Sequence, residues 1–256
     1  MFTADELQVR AKSPMFRSIV HVVRAADITP HMRRVTLGGE SLSLLADRHL
    51  PGDAIKLYIP ETGSDAVIPQ YIMLPNRKNP FKVRAYTIRS FNAATAEIDV
   101  DVFLHGDTFG STWARTVHAG DQVGFIGPRH DYRGASAGAD WQLLIGDESA
   151  FPAIAAILES LPEGCRAYAF IEIADQRDEV PLDLKAQTSI QWLHRGTSPA
   201  KQSKLLEQAL HNFAWPDGKG YVWAAGEQHA MKAIRHQLTH ERHMQRHDFQ
   251  TISYWS

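Results

Sequence analysis

The sequence is poor in cysteine and has no long apolar segment, and both shortages restrict its chemistry. Cys165 is the only cysteine, which excludes an internal disulfide, a zinc site built from several cysteines and an iron–sulfur cluster held by cysteines alone. The longest apolar runs fall far short of the roughly 18 to 20 residues that span a bilayer. We therefore expect no membrane span, and any redox chemistry must come from a bound organic cofactor.

The chain also has no excess of positive charge. The chain has 27 Lys and Arg against 29 Asp and Glu, a formal charge of -2, whereas nucleic-acid-binding proteins usually present a basic surface. Nucleic acid is therefore not an expected partner. Asp5 and Glu6 stand where a secretory signal would carry positive charge and then an apolar stretch, and scarce cysteine suits a reducing compartment. The expected location is the cytoplasm.

Length and composition are those of a folded globular protein. The hydrophobic fraction of 44% and the charged fraction of 22% are close to globular averages. At roughly 150 residues per domain, the chain is long enough for one large domain or two modest ones.

The first half of the chain has the pattern of a small antiparallel barrel. Short β-rich runs separated by Gly, Pro, Asp and Asn follow one another from Phe16 to Phe125: FRSIVHVV, RRVTLGG, AIKLYIP, VRAYTIRS, EIDVDVFLH and QVGFIG. Residues from Glu97 to Val102 alternate strictly, as a strand with one solvent face does. The spacing predicts a six-stranded antiparallel barrel.

The second half alternates strands with helical runs, from WQLLIG to FQTISYW. This rhythm predicts a parallel sheet with helical crossovers. The Gly/Ala/Ser/Asp-rich stretch between the halves predicts a boundary, with domains at residues 1–135 and 136–256. Residues 61–82 carry three prolines and form a long loop for a compact barrel, which is typical of a functional or mobile segment.

The run RAYTIRS carries two arginines, a tyrosine and a threonine on one predicted strand. Alternation places Arg84 and Tyr86 on one face, and Thr87 and Arg89 on the other. Arginine suits a phosphate, tyrosine supplies an aromatic face and threonine a short hydroxyl for a ring nitrogen. The alternative is an ordinary strand with solvent-facing arginines.

Two further segments end a strand and open a helix. FLHGDTFGSTWART puts Gly110, Ser111 and Thr112 at a predicted helix start, where free N–H groups favour a pyrophosphate; the alternative is a capped connector. IGDESAFPAI is a strand, a turn and a helix, with Ser149 as the predicted cap. Ligands bind at the carboxyl ends of such strands, although Asp147 and Glu148 would repel a nucleotide phosphate. The alternatives are that the turn faces the other cofactor or a ribose hydroxyl.

The thirteen histidines raise the question of a metal site. A spacing of four, three and four residues puts a group of them on one face of a predicted helix, namely His236, His240, His243 and His247. The surrounding sequence shows no carboxylate or cysteine set that would complete a transition-metal site. We predict no metal centre and interpret the group as a solvated helix face.

Seven segments in order resemble the siderophore-interacting protein family: RAYTIR, FLHG followed by STWA, VGFIGPR, IGDESAFPAI with ILESLP, IEIADQRDEVPL, YVWAAGE and a terminal SYW. The resemblance runs from about Phe16 to Trp255. Members of this family are cytoplasmic FAD-containing ferric-siderophore reductases related to the ferredoxin-NADP reductase superfamily. The resemblance implies an N-terminal FAD-binding barrel and a C-terminal NAD(P)H-binding α/β domain.

The resemblance also implies roles for single residues. Arg84 would hold the FAD phosphates, Tyr86 would pack on the flavin and ribityl chain, and Thr87, the catalytic candidate, would hydrogen-bond near the reactive flavin nitrogen. The other cofactor-binding candidates are His105, Gly106, Ser111, Trp113, Asp147, Ser149, Ala150, Glu227 and Trp255.

The chain departs from the family pattern at two places. The family usually has Gly-Pro-Ala-Ser where this chain has Thr108 to Ser111, and a glycine where it has His130. A different turn, or a side chain that reaches the substrate, would follow at His130. Trp255 matches a terminal aromatic that covers one flavin face in this superfamily and shifts for nicotinamide; the alternative is an aromatic that anchors the last strand.

The implied reaction is iron release by reduction. Oxygen donors hold Fe(III) in a siderophore, and one electron weakens those bonds; a nicotinamide donates two electrons as hydride, so a flavin is the natural converter. Because many siderophore complexes are anionic, we expect the substrate site to have a basic entrance, here called the mouth. Lys56 and Arg129 match basic family positions there, while the long loop holds looser candidates, Arg77, Lys78 and Lys82.

Several questions stay open in the sequence. Other hypotheses are a flavin-dependent donor to another acceptor and a siderophore-binding module without turnover. Glu172 and Asp175 suit the free 2′-hydroxyl of NADH, whereas Arg177 suits the 2′-phosphate of NADPH, and reduced ferredoxin is a third possible donor. The preferred siderophore is also open, and a monomer is favoured.

Overall fold

The computed structural model describes residues 14–61, 63–68, 81–134 and 138–256. These residues divide between Asp131 and Tyr132 into two compact units, here called the N-terminal unit and the C-terminal unit. The predicted boundary between residues 135 and 136 lies outside the described residues. So do most of the loop at 61–82 and its candidate cations Arg77 and Lys78.

In the part of the N-terminal unit that the structure describes, an antiparallel sheet carries one α-helix, α1 (Phe109–Thr116). Its strands are β1 (Phe16–Thr29), β2 (Met32–Gly38), β3 (Ala54–Pro60), β4 (Phe81–Thr87), β5 (Ser90–Asn92), β6 (Glu97–Phe103) and β7 (Gln122–Arg129). The strand order is β4-β3-β7-β1-β2-β6-β5. Because β4 and β5 are the edges of this order within the described residues, the sheet is barrel-like without being closed.

The alternating sequences explain the core of this unit. Ile98, Val100 and Val102 of β6 are buried and share the core with side chains of β1, β2, β3 and β7. The predicted antiparallel fold class is confirmed, but the sheet has seven described strands instead of six. The extra strand is β5, which is three residues long and pairs only with β6.

The C-terminal unit is a parallel sheet with helical crossovers, as predicted. Its strands are β8 (Trp141–Gly146), β9 (Arg166–Ile173), β10 (Gln187–His194), β11 (Gly220–Glu227) and β12 (Phe249–Trp255), in the order β10-β9-β8-β11-β12. Every residue of the central strand β8 is buried, as expected for an apolar run covered on both faces. The carboxyl ends of the strands meet at one side of the sheet, here called the carboxyl edge.

The α-helices of this unit are α2 (Phe151–Ser160), α3 (Leu205–His211) and α4 (Gln228–His236). Pro152 lies in the first turn of α2, where proline is tolerated. The N-cap of α2 is Ala150, which makes no side-chain cap. The prediction that Ser149 caps this helix is therefore wrong.

The histidine-rich segment is not one continuous helix face. Helix α4 ends at His236, a π-helical turn covers Gln237–Glu241, and His243 has a positive φ of 53°. His236 and His240 are neighbours, with ring centroids 4.7 Å apart, but His243 and His247 lie beyond the helical segment. Within the described residues, no group of three or more His, Cys, Asp or Glu is placed to hold a metal ion.

Among the helices that the structure describes, none combines the length and the apolar composition that crossing a membrane requires.

Candidate functional site

Arg84 and Tyr86 lie on one face of the edge strand β4, close to the start of α1. A Cβ atom added at Gly110, in the first turn of α1, would lie 2.9 Å from the Tyr86 hydroxyl and 3.9 Å from Arg84 Nε. Glycine therefore allows the helix start to approach the strand. A guanidinium, a phenol and the first amides of a helix converge here, a combination suited to phosphate.

Aromatic rings frame this group. The Arg84 guanidinium lies 5.5 Å from the Phe109 ring centroid, and the Tyr86 and Trp113 centroids are 6.1 Å apart. Arg84 donates to the Val83 carbonyl at 2.9 Å and is otherwise exposed. Burial raises the pKa of Tyr86, although Arg84 opposes that shift, so Tyr86 is a neutral hydrogen-bond donor at ordinary pH.

The loop before α1 is held by Ser111, whose hydroxyl is buried. It accepts a hydrogen bond from the His105 amide at 2.9 Å and donates one to the His105 carbonyl at 3.2 Å. The His105 ring stacks on Phe103 with centroids 5.3 Å apart. Gly106 has a positive φ of 52°, and its carbonyl accepts from Arg115 at 3.0 Å. Ser111 therefore shapes the loop that carries His105 and Gly106.

Thr87 is the buried last residue of β4 and pairs with Ala54 of β3. β4 ends at Thr87, and the Ile88 amide donates to the Asp53 carbonyl at 2.9 Å. Arg89 lies outside β4, within 3.8 Å of Asp101. The prediction that Arg89 shares a strand face with Thr87 is therefore wrong, and Arg89 belongs to an internal ion pair.

Lys56 and Arg129 line the same cavity of about 140 Å³, together with apolar residues of β3 and β7. Lys56 is half-buried. Arg129 binds Asp131 through two hydrogen bonds, at 2.7 and 2.6 Å, and its side chain is 50% exposed. Asp131, which sequence reasoning missed, therefore compensates part of the positive charge at this mouth.

The His130 side chain points into the protein. It therefore does not reach out to a substrate, as one of the two expectations for this position had it. Its Nδ1 lies 2.7 Å from a carboxylate oxygen of Asp53, and its side chain is 11% exposed. Asp53 is buried, accepts from the Leu50 amide at 2.7 Å and has His49 Nδ1 at 3.3 Å. His130 therefore ties the end of β7 to the start of β3.

At the carboxyl edge of the C-terminal unit, Asp147 uses both carboxylate oxygens within the protein. Oδ1 accepts from the Ser149 amide at 2.9 Å and from the Ser149 hydroxyl at 2.5 Å. Oδ2 accepts from the Glu227 amide at 3.0 Å and from the Trp255 indole at 2.9 Å. Burial raises the pKa of Asp147, and these hydrogen bonds oppose the shift. The structure thus brings four of the predicted cofactor-binding residues together.

A second group of buried acids shares Arg195, which follows β10 at the same edge. Arg195 Nη1 lies 2.5 Å from Glu148 and 3.9 Å from Glu172, and all three side chains are under 10% exposed. Ser203 donates to Glu172 at 2.8 Å. Burial raises the pKa of Glu148 to about 7, although Arg195 opposes that shift. Sequence reasoning missed Arg195. Its position directly after a strand was the signal that could have indicated it.

Glu227, another predicted cofactor-binding residue, is the N-cap of α4. Its carboxylate accepts from the amides of His229 at 2.5 Å and Ala230 at 2.9 Å. Burial raises the pKa of Glu227, but the hydrogen bonds from Ala230 and His229 outweigh that effect and hold the pKa below its usual value.

The residues considered for contact with the ribose 2′ position of the nicotinamide cofactor also bind partners within the protein. Glu172 is buried against Ser203 and Arg195, so it does not present a free carboxylate to a ribose. Arg177 binds Asp175 through its Nε and Nη2 atoms at 2.9 and 2.7 Å, and its side chain is 70% exposed.

A solved flavoenzyme is similar to this chain in fold. A ferredoxin NADP+ reductase from Neisseria gonorrhoeae, whose structure holds FAD and NADP, matches 93% of this chain and 98% of that chain with a TM-score of 0.62. At 13% identity the likeness shows the fold alone. The fold is therefore that of the FAD- and NAD(P)-binding ferredoxin reductases.

More similar proteins show the family to which the chain belongs. Family models match at residues 21–132, as a siderophore-interacting FAD-binding domain, and at 139–256, as a siderophore-interacting protein. The ferric vibriobactin reductase ViuB of Vibrio cholerae is 32% identical over 253 residues, which are 94% of this chain and 90% of that protein. A siderophore utilization protein from T. fusca is 33% identical, with a TM-score of 0.84 over 95% of this chain and 94% of that chain. The chain belongs to the siderophore-interacting protein family, as its motifs predicted, with an FAD-binding domain in its first half.

Proposed function

We propose that the protein reduces ferric siderophores in the cytoplasm, with electrons from NADPH or NADH passing through FAD. The observation that carries the proposal is the convergence of Arg84, Tyr86 and the start of α1 around Gly110, in a chain of the siderophore-interacting family.

The residues of the N-terminal unit fit an FAD phosphate group. Arg84 is exposed and supplies a planar cation, and α1 begins beside it with first-turn amides that favour an anion. A glycine at position 110 leaves the approach to Tyr86 open. Arg84 would hold the phosphates, Tyr86 would pack against the flavin side of the cofactor, and Thr87 would donate or accept a hydrogen bond at the flavin ring.

When bound near Arg84, Tyr86 and Thr87, FAD would supply the conversion of a two-electron hydride donor into two one-electron transfers. One nicotinamide therefore reduces two ferric complexes, and the balance is NADPH plus two Fe(III) giving NADP⁺, two Fe(II) and one proton. Each Fe(II) binds its oxygen donors less tightly than Fe(III) did. The protein's own part is to bind and orient the cofactors and the siderophore and to shield them from solvent.

The positions of Lys56 and Arg129 support the proposal that an anionic substrate binds to the N-terminal unit. They line one cavity, where a cation at the wall attracts carboxylate or catecholate oxygens. Asp131 fixes the Arg129 guanidinium in one orientation through two hydrogen bonds, which favours a directional contact with an oxygen donor over a diffuse field.

The test begins with the visible spectrum of the purified protein, followed by extraction of the bound flavin. Anaerobic addition of NADPH, and separately of NADH, should bleach that spectrum. Addition of a ferric siderophore should restore it, and a ferrous chelator should report two Fe(II) for each nicotinamide consumed.

Two results would overturn the proposal. Rapid reoxidation by oxygen or by an electron-accepting protein, with none by ferric siderophores, would favour a donor to another acceptor. A colourless protein that binds ferric siderophore without turnover, even after addition of FAD, would favour a binding module.

A further inference from the structure

Two aromatic residues of α1, Phe109 and Trp113, lie against Arg84 and Tyr86 of β4. The aromatic residues are four apart in the helix, so they share one face and are separated by about 6 Å along its axis. Arg84 and Tyr86 are two apart on the strand, which gives them a common face and a separation of about 6.6 Å. The helix and the strand therefore match in spacing, and each aromatic ring meets one residue of the strand.

The Arg84 guanidinium lies over the Phe109 ring, 5.5 Å from its centroid. At that distance the face of an aromatic ring attracts a cation. The side chain is exposed, and its hydrogen bonding within the described residues is limited to Nη1, which donates to the Val83 carbonyl at 2.9 Å. A guanidinium has five N–H donors, so this one is held by a ring and a carbonyl and keeps donors for a ligand.

The Phe109 ring is itself fixed in place. It is half-buried and packs against the hydrophobic core of the N-terminal unit. Its backbone begins α1 directly after the N-cap Thr108, whose side chain accepts from the Ser111 amide. An exposed arginine is flexible and loses rotamer freedom when it binds a ligand. A rigid ring that restricts the guanidinium beforehand reduces that loss and so strengthens binding without a new contact to the ligand.

We propose that Phe109 is a positioning residue for FAD, whose ring holds the Arg84 guanidinium in the orientation that binds the cofactor phosphates. This inference rests on the proposed function, in which Arg84 holds those phosphates. Phe109 acts through Arg84 and needs no contact with FAD for this role. Loss of the ring would leave the cation in the chain but free to take other orientations.

The contact itself is tested without FAD, on the side-chain proton resonances of Arg84 in the apoprotein. Protons over the face of an aromatic ring are shifted upfield, so the Arg84 Hδ and Hε signals should lie upfield of those of a solvated arginine. Arg84→Lys identifies these signals by their loss. In Phe109→Leu, which keeps an apolar side chain that favours a helix but has no ring, they should move to the solvated positions. Unshifted signals in the wild type, or equal shifts in Phe109→Leu, would overturn the proposal.

The positioning role is tested by titrating the apoprotein and its variants with FAD. Phe109→Leu should weaken binding about two- to fivefold, which is the range of a cation–aromatic contact at an exposed site. Phe109→Tyr should bind FAD as the wild type does, because it keeps the ring. In an Arg84→Ala background, Phe109→Leu should have no further effect. The same loss in both backgrounds would show a role in packing alone and would overturn the proposal.

Phe16→Leu is the matched control. Phe16 is also half-buried and has the same kind of contact in the same unit, with the Arg48 guanidinium 5.7 Å from its ring centroid. Its substitution should leave FAD affinity unchanged, and a loss equal to that of Phe109→Leu would overturn the proposal. Phe109→Met carries these tests if circular dichroism shows that Phe109→Leu folds poorly.

The titrations also separate this proposal from the one on which it rests. Weaker FAD binding in Arg84→Ala, with none in Phe109→Leu, would overturn the role of Phe109 alone. Unchanged binding in Arg84→Ala would overturn the role of Arg84, and the role of Phe109 with it.

Discussion

The two units use charged residues in opposite ways. In the N-terminal unit, the candidate cations Arg84, Lys56 and Arg129 lie on strands β4, β3 and β7 and are exposed or half-buried. In the C-terminal unit, the candidate acids Asp147 and Glu148 are buried and bind donors of the same unit. The cations of the N-terminal unit are therefore available to a ligand, whereas the acids of the C-terminal unit stabilise the internal structure of that unit.

This difference predicts two kinds of mutational outcome. Removing an exposed cation costs little folding free energy, since surface ion pairs contribute weakly, and so its effect should appear in ligand binding. Removing one member of a buried ionic group leaves its partner uncompensated, and so its effect should appear in stability. The following predictions test that division, from the largest expected effect to the smallest.

Arg195→Ala should lower the free energy of unfolding of the C-terminal unit by about 3–5 kcal/mol, because it leaves buried carboxylates without their shared cation. Chemical denaturation followed by tryptophan fluorescence measures the loss. Arg177→Ala is the control, as that arginine also binds a carboxylate but is 70% exposed, and it should change stability little. Equal losses in both variants would contradict the distinction between buried and exposed pairs.

Glu148→Gln should change how stability depends on pH. The folded pKa of about 7 lies above the ordinary 4.5, so the folded state keeps a proton that the unfolded chain releases between those values. Stability of the wild type should fall as pH rises through that window, by at most about 3 kcal/mol from this group, since one pKa unit is about 1.4 kcal/mol.

The measurement is denaturation of wild type and Glu148→Gln at a series of pH values between 4.5 and 8. The variant lacks this titration, so its stability relative to wild type should improve as pH rises. A difference that is constant with pH would show that Glu148 is ionised throughout.

Arg84→Ala should weaken FAD binding about 10- to 100-fold without unfolding the N-terminal unit, since a charge-assisted contact is worth about 1.5–3 kcal/mol. Flavin titration of the apoprotein and circular dichroism give the two readings. Lys82→Ala is the matched control, because Lys82 is on the same strand and pairs with Glu61 at 3.2 Å. Equal FAD affinity in wild type and Arg84→Ala would remove the assignment.

Lys56→Ala and Arg129→Ala should each raise the KM for anionic ferric siderophores several-fold, and added salt should lower the wild-type kcat/KM. Arg129→Ala should have the smaller effect, because Asp131 already compensates its charge. Steady-state kinetics at two ionic strengths provide the check. Normal kinetics in both variants, with no salt dependence, would place the substrate elsewhere.

Strand positions were the most predictable part of the fold. AIKLYIP and WQLLIG coincide with β3 and β8, because a buried strand leaves a local apolar signature. FQTISYW coincides with β12, which is mostly half-buried and is rich in the aromatic and β-branched residues that favour strands. β5 was missed, since three residues carry too little pattern and form a strand only by pairing with β6. The end of α4 was missed because the helical pattern continues past His236.

The partners of the candidate residues were the least predictable part. RAYTIR predicted a phosphate-binding Arg84, and the structure sets Arg84 beside a helix start, but nothing local indicates that Asp131 binds Arg129 or that Asp53 meets His130, which is 77 residues away. Side-chain pairing across strands depends on the register of the sheet. A single sequence shows strand content more readily than register.

The hydrogen bonds of Asp147 have a consequence for synthesis on the ribosome. Its partner Glu227 is 80 residues later in the chain and Trp255 is 108 residues later. The central strand β8 therefore emerges long before β11, its second neighbour, and closing such separated contacts is slow. Until β11 emerges, β8 lacks its second neighbouring strand, and until Trp255 emerges the Asp147 carboxylate lacks one of its donors. The nascent C-terminal unit should thus be a chaperone client during the final third of translation, when the N-terminal unit has already completed its sheet.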